Sequence, residues 1–376
     1  AYFQQLLTST KTAVLASYHK SDGEQEFRPS SFLLDFDLKT TDNDATQLLS
    51  NKGARQLGSI KLETISDEGL PLTASEKITG GATIISDQSS CPFKAFAVNR
   101  LKLVTEPVIE TGISKTAKGS ATHIALEYLF KNISTSEMLN SRSPDQLFRH
   151  LDNAATKAVE FLIKGHKDLL TPKIQKIEHQ RIIHLLEKFV ELEKTRPNFK
   201  IIAQEKPFVI DIENLRLSLR IDRIDQLQDA GFALIDYKTG KYSISPKNWN
   251  VERPEDMQLP LYYFITNNNE LQPINAVAIA NINPENVSYS GTANSDNFAK
   301  QIKPLESEPW TDLSWQQTTK AWSEKVKLFA LEFNQGECNV NPVNPHTTCT
   351  YCGLQALCRI QELSDIEQMT NEDIKS

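Results

Sequence analysis

No run of about 18 apolar residues occurs anywhere in the 376-residue chain, so nothing in it reads as a membrane span. The opening stretch, AYFQQLLTSTKTAVLA, lacks the basic head and long apolar segment of a signal peptide, and it lacks a Met. We read it as a piece cut from a longer protein. A basic excess is missing too, since 41 Lys and Arg stand against 48 Asp and Glu, a net charge of −7. That balance argues against a module that coats phosphates over its whole surface. No Gly-x4-Gly-Lys-Ser/Thr loop is present, so no ATPase is expected. Internal repeats and low-complexity segments are absent as well. Cysteines number five, an odd count, and three of them fall at 349, 352 and 358. A disulfide framework would spread them more evenly, so the pattern indicates a reducing cytosol and a metal site.

What remains is an ordinary soluble composition, 39% hydrophobic and 24% charged, with length enough for one large domain with additions or for two. Residues 1–80 are polar and irregular, and Gly80-Gly81 marks a boundary. Residues 87–103 read as a helix, with Pro92 in a first turn. In 118–130, Ala121, Ile124, Ala125, Tyr128 and Leu129 make one apolar helical face. Residues 131–200 are mostly helical. The period then becomes alternating: FKIIAQEKPFVIDI, LRLSLRIDRIDQL and FALIDYK read as a meander of three strands, turning at Glu213-Asn214 and at 229–231. A helix over 254–266 and a buried strand over 274–282 follow. The class is α/β, with the order helix, helical insertion, three strands, helix, strand.

The chemistry gathers on FALIDYKTG. Residues two apart on a strand share a face, so Asp236 and Lys238 point the same way. A surface ion pair would also satisfy them. Asp222 lies on the preceding strand, and two carboxylates brought close repel unless a cation sits between them. Pairing of Asp222 with Arg220 or Lys238 is the plainer alternative. Asp225 falls on the opposite face and is expected to pair with Arg223 or Arg220. His123 stands outside the apolar set of its helix, as a ligand or as an ordinary solvated histidine. Gln258 and Tyr262 lie four apart on one helix face and can position the strand or the lysine, unless Tyr262 is simply core. Glu205 is either a further acidic member or a partner of Lys206. Together these residues suit metal-dependent phosphodiester hydrolysis, with Mg²⁺ or Mn²⁺ on the carboxylates and Lys238 facing the phosphate.

The four motifs GSATH, RIDRID, IDYKTG and QLPLY, in this order, resemble the RecB-type branch of the PD-(D/E)XK nucleases. The resemblance covers 119–282. It implies the restriction-endonuclease-like core, metal binding by His123, Asp222 and Asp236, Lys238 as the catalytic lysine, and Gln258 and Tyr262 as that branch's Q-x-x-x-Y motif.

The cysteines allow two readings. Spacing alone gives a Cys₃His zinc site from Cys349, Cys352, Cys358 and His346. Adding Cys91 instead gives four thiolates for a 4Fe–4S cluster. Here too a resemblance bears: SCPFKAFAVNRL before the core and C-x₂-C-x₅-C after it look like the iron–sulfur staple of AddB-like nucleases. It implies that the cluster ties the ends of the domain together, leaving Cys338 as an ordinary thiol. It also implies that 1–80 is the tail of a helicase-like region or a linker, that 81–365 is the nuclease with its staple around a core of 119–282, and that 366–376 is an acidic tail. The expected activity is an exonuclease on single-stranded DNA ends in repair or recombination, with a helicase as partner. The alternative is a non-cleaving iron–sulfur DNA-binding module that supports such a helicase.

Overall fold

The computed structural model describes residues 21–22, 25–26 and most of 68–360, apart from 74, 77, 105–111, 229–230, 241–244, 269–270 and 351. The chain divides into two compact units, 1–65 and 66–376. In the first, Ser21–Asp22 pairs antiparallel with Gln25–Glu26. The rest of 1–65 and the acidic tail 366–376 lie outside the described residues. Among the described residues no helix is long and apolar enough to cross a membrane.

The second unit is a mixed sheet between two helical layers. Its strands are β1 (Ile78–Gly80), β2 (Phe199–Ile212), β3 (Leu215–Leu227), β4 (Phe232–Lys238), β5 (Ile274–Ile282) and β6 (Val287–Ala293). β2, β3 and β4 form the expected antiparallel meander, and Glu213 takes a positive φ of 52° in the first turn. The outer edge of β3 is shared. Its start pairs parallel with β1, and Arg223 to Gln226 pair with β4. β4 then pairs parallel with β5 after a helical crossover, and β6 closes the edge antiparallel to β5. β1 and β6 carry too little alternation to be read from sequence.

The helices are α1 (Thr83–Ser90), α2 (Pro92–Ala95), α3 (Lys115–Asn132), α4 (Ser136–Ser141), α5 (Pro144–Gly165), α6 (Pro172–Lys194), α7 (Gln258–Asn267) and α8 (Trp315–Gln335), with short turns α9 (Pro345–Thr348) and α10 (Gln355–Cys358). Their starts follow capping chemistry. Ser114 accepts from Ala117 N, Ser143 and Gln146 form a capping box before α5, and Thr171 precedes Pro172 at α6. The expected single helix over 87–103 is instead broken. Cys91 is extended (φ −165°) because the Pro92 ring disfavours the helical region for the residue before it. A π-helical turn, Phe96–Arg100, ends the segment. α7 begins at Gln258, later than expected. Pro260 is then in its first turn, where backbone N–H groups have no helical partner to lose.

Strand alternation divides the core. Ala233, Ile235 and Tyr237 of β4 pack with Ala276, Ala278 and Ala280 of β5 against α3, α5 and α6. Leu234, Val277 and Ile279 face α1, α7 and α8. Asp236 and Lys238 share the parity of Leu234, which turns them toward α7.

Candidate active site

The site forms where the sheet opens. The last rung between β3 and β4 is Arg223 opposite Ile235. Asp222 and Asp236 therefore sit just past the end of the ladder. There the Tyr237 backbone N–H donates to Asp222 Oδ2 at 2.7 Å. The side chain takes the place of a ladder carbonyl and fixes the carboxylate at the split between the strands.

The register of β2 against β3, Gln204 with Arg223 and Lys206 with Ile221, puts Glu205 opposite Asp222. Glu205 is one of four non-glycine residues at positive φ among the described residues, here 47°. α3 comes in over the same edge. A Cβ on Gly119 would lie 2.9 Å from Thr239 Oγ1, so the absence of a side chain there allows helix and strand end to meet. One turn further on, His123 Nε2 lies 3.0 Å from the Tyr237 carbonyl oxygen. A carbonyl only accepts, so Nε2 carries the proton and neutral His123 presents the Nδ1 lone pair. Nδ1 is 3.6 Å from Asp222 Oδ1 and 3.9 Å from Glu205 Oε1, beyond hydrogen-bond reach. Among the described residues, His123, Glu205 and Asp222 are the group of His, Cys, Asp or Glu whose donor atoms lie within 4.8 Å of one another. One imidazole nitrogen and two carboxylates around a gap of this size fit a divalent cation.

Asp236 lies beside this trio and faces α7. Its Oδ2 is 2.7 Å from Lys238 Nζ. Gln258 links the two: its Nε2 donates to Asp236 Oδ1 at 2.7 Å, and its Oε1 accepts from Lys238 at 2.7 Å. Gln258 Nε2 also donates to the Tyr262 hydroxyl, which donates to the Arg220 carbonyl at 3.0 Å. Burial, then the Asp222 charge, pushes the Asp236 carboxyl up to about 6 against the pull of Lys238. Burial and then Asp222 raise Glu205 as well. Burial pulls His123 down, but the negative charge of Asp222, with Asp236 and Glu205 behind it, leaves it raised above its ordinary value.

Glu205 meets Arg220, at 3.4 Å, and not Lys206. Its place opposite Asp222 depends on strand register, for which the sequence held no local signal. Asp225 pairs with Arg223 at 2.6 Å, as the alternation indicates.

The cysteines do not form a compact group with metal-ligating spacing among the described residues. Among the described residues they form no disulfide; Cys91 is buried and Cys349, Cys352 and Cys358 are half-buried. That spacing supports neither the zinc site nor the 4Fe–4S cluster. The two ends of the domain are joined by backbone instead, through Phe93 N to Asn339 O at 3.0 Å and Val343 N to Ser90 O at 2.9 Å.

Residues 82–359 match the family model of the PD-(D/E)XK nuclease superfamily. The chain belongs to that superfamily. Within the matched stretch, Asp236-Tyr237-Lys238 is an acidic-x-lysine triplet. No curated protein matches the chain in sequence. A solved structure titled "Crystal structure of SSO0001" is 14% identical, covering 84% of this chain and 95% of its own, with a TM-score of 0.30. A likeness of that size establishes neither fold nor function.

Proposed function

We propose that this PD-(D/E)XK protein hydrolyses phosphodiester bonds in DNA with Mg²⁺ or Mn²⁺, as an exonuclease on single-stranded ends in repair or recombination. The observation that carries the reading is Lys238. Its ammonium is held between Asp236 and Gln258 at the rim of the His123, Glu205 and Asp222 trio. His123, Glu205 and Asp222, with Asp236 beside them, would hold the cation. A cation there lowers the pKa of a bound water and polarises the phosphate. Lys238 orients the attacking water and faces the negative charge that grows on the phosphate oxygens. Gln258 fixes both Lys238 and Asp236, and Tyr262 ties Gln258 to the β3 backbone.

The finer parts rest on the sequence: a cytoplasmic setting on the uneven cysteines, and, on the resemblance, a helicase partner and a 4Fe–4S cluster on Cys91, Cys349, Cys352 and Cys358. The cluster rests on Cys91 and the C-x₂-C-x₅-C pattern alone, since the cysteines do not lie at ligating spacing among the described residues. Protein purified without air is then brown and holds iron and sulfide, and a colourless zinc-loaded protein would end that part of the reading.

The nuclease itself is tested with end-labelled single- and double-stranded DNA, wild type beside Lys238→Ala, with and without chelator. Cleavage that needs the cation and vanishes in the variant supports the proposal. Undiminished cutting by Lys238→Ala refutes it.

A further inference from the structure

The active-site cleft, about 650 Å³, adjoins a second cavity of about 420 Å³. Ile124, Glu127 and Phe161 line both, so the two make one continuous trough. α3 supplies one wall with Ile124, Tyr128 and Lys131, spaced four and three apart on one helix face. α5 supplies the other with Lys157, Phe161 and Lys164, at the same spacing. The core does not call for this face of α5, which buries Leu147, Leu151, Ala154, Ala158 and Leu162 on its other side. Phe161 is nonetheless aromatic and 38% exposed, with a lysine one turn to either side.

We propose that this trough is a track for single-stranded DNA running into the active site. Phe161 stacks on a base, and Lys131, Lys157 and Lys164 meet phosphates. The inference rests on the nuclease reading. An exposed ring on a helix can stack only on an unpaired base, which selects single strands over duplex, and every base offers a face to it. Glu127 and Glu160 also line the trough, and Glu160 holds Lys157 at 2.9 Å. The positive excess is therefore small, and stacking carries more of the binding than charge does. An exposed pair of this kind exchanges partners at little cost. Lys115 lines the active-site cleft and Lys131 the second cavity, with His123 midway between them on α3. On one helix they are about 24 Å apart, room for about seven nucleotides at a rise of about 3.4 Å and fewer if the strand is stretched.

The test uses the full chain. Binding of fluorescent oligothymidylates of increasing length is measured in chelator, for wild type, Phe161→Ala and Lys131→Ala/Lys164→Ala. Cleavage of the same oligonucleotides is compared with that of bis(p-nitrophenyl) phosphate, which is too small to reach the trough. Phe161→Ala is expected to weaken oligonucleotide binding roughly 5- to 150-fold. The double lysine variant is expected to flatten the salt dependence by about 0.7 per lysine in the log–log slope. It also raises KM for oligonucleotides while hydrolysing the small ester as wild type does. Unchanged binding in both variants overturns the track even if wild type cuts DNA. Equal loss on the ester and the oligonucleotide overturns it too. If wild type cuts neither substrate, the nuclease reading fails, and the binding comparison in chelator still decides the track.

Discussion

The Gln258 amide is clamped to Asp236, donating to Oδ1 at 2.7 Å. Its other end accepts from Lys238 at 2.7 Å, so amide polarity sets which neighbour each end can hold. Gln258→Glu reverses one contact, because a carboxylate accepts from Lys238 but repels Asp236. We expect kcat to fall roughly 10²-fold with KM little changed, since the reacting groups are displaced and not the substrate contacts. Gln258→Ala should cost less, as it adds no charge. Single-turnover cleavage of a labelled oligonucleotide checks the order, and an equal or milder effect of the glutamate would refute the clamp.

His123 brings nitrogen to a site otherwise built of oxygen. Imidazole favours Mn²⁺ over Mg²⁺, both by its affinity for transition metals and by the reluctance of Mg²⁺ to leave oxygen ligands. Half-saturation should therefore come at lower Mn²⁺ than Mg²⁺ in wild type. His123→Asp should narrow that gap and His123→Ala should weaken binding of both ions. Titration calorimetry of the apo-protein measures this without any need for turnover.

Much of this was legible in the sequence, and the reason is periodicity. The meander, α3, α6, α7 and β5 announce themselves through repeating apolar faces, and Asp236 and Lys238 are local to one strand. The failures share a different cause. The break at Cys91 is set by Pro92, which also fits a first turn, so one residue supports two contrary readings. Glu205 joins the site only because the register seats it opposite Asp222, and pairing with Lys206 looked equally good in one dimension. β1 is too short to show any period. The spacing of the cysteines is a property of the folded ends and could not be read from C-x₂-C-x₅-C.

The acid titration of Asp236 gives a pH dependence with a definite sign. Its carboxyl titrates at about 6 when folded, against 3.8 ordinarily. Between those values the unfolded chain loses the proton and the folded one keeps it. The Asp236 contribution to the stability of the metal-free protein therefore falls as pH rises from about 4 to 6 and then levels off, by on the order of 1–3 kcal/mol. Asp236→Asn removes the penalty, so the apo-variant should melt above wild type at pH 8 and not at pH 4. A cation needs the ionised form, hence stabilisation of wild type by Mn²⁺ should be small at pH 5 and grow through pH 7. Thermal melts of wild type and Asp236→Asn across that range with chelator or Mn²⁺ would show it, and a wild-type melting point that does not fall relative to the variant's from pH 4 to 6 in chelator would contradict the reading.

The carboxylate of Asp222 depends on its neighbour in a different way. Arg223 is fully buried and bonds Asp225 at 2.6 Å and Glu193 at 2.7 Å, while Arg196 bonds the same two acids at 2.9 and 3.0 Å. Two cations and two anions cancel, and the Tyr289 hydroxyl donates to Glu193 at 2.6 Å. Arg223 lies over the rings of Phe130 and Phe199, and Arg196 over Phe199 and Phe298. The cluster joins α6 of the helical insertion to β3 one residue from the catalytic split. Arg223→Met leaves two buried carboxylates with one guanidinium, and breaking such a pair costs about 3–5 kcal/mol. Adding Asp225→Asn restores the charge balance and should recover part of that loss, a coupling readable from denaturant unfolding of the single and double variants. If Arg223→Met alone proves neutral, the cluster does not hold β3, and the position of Asp222 must be set by its bond to the Tyr237 amide alone.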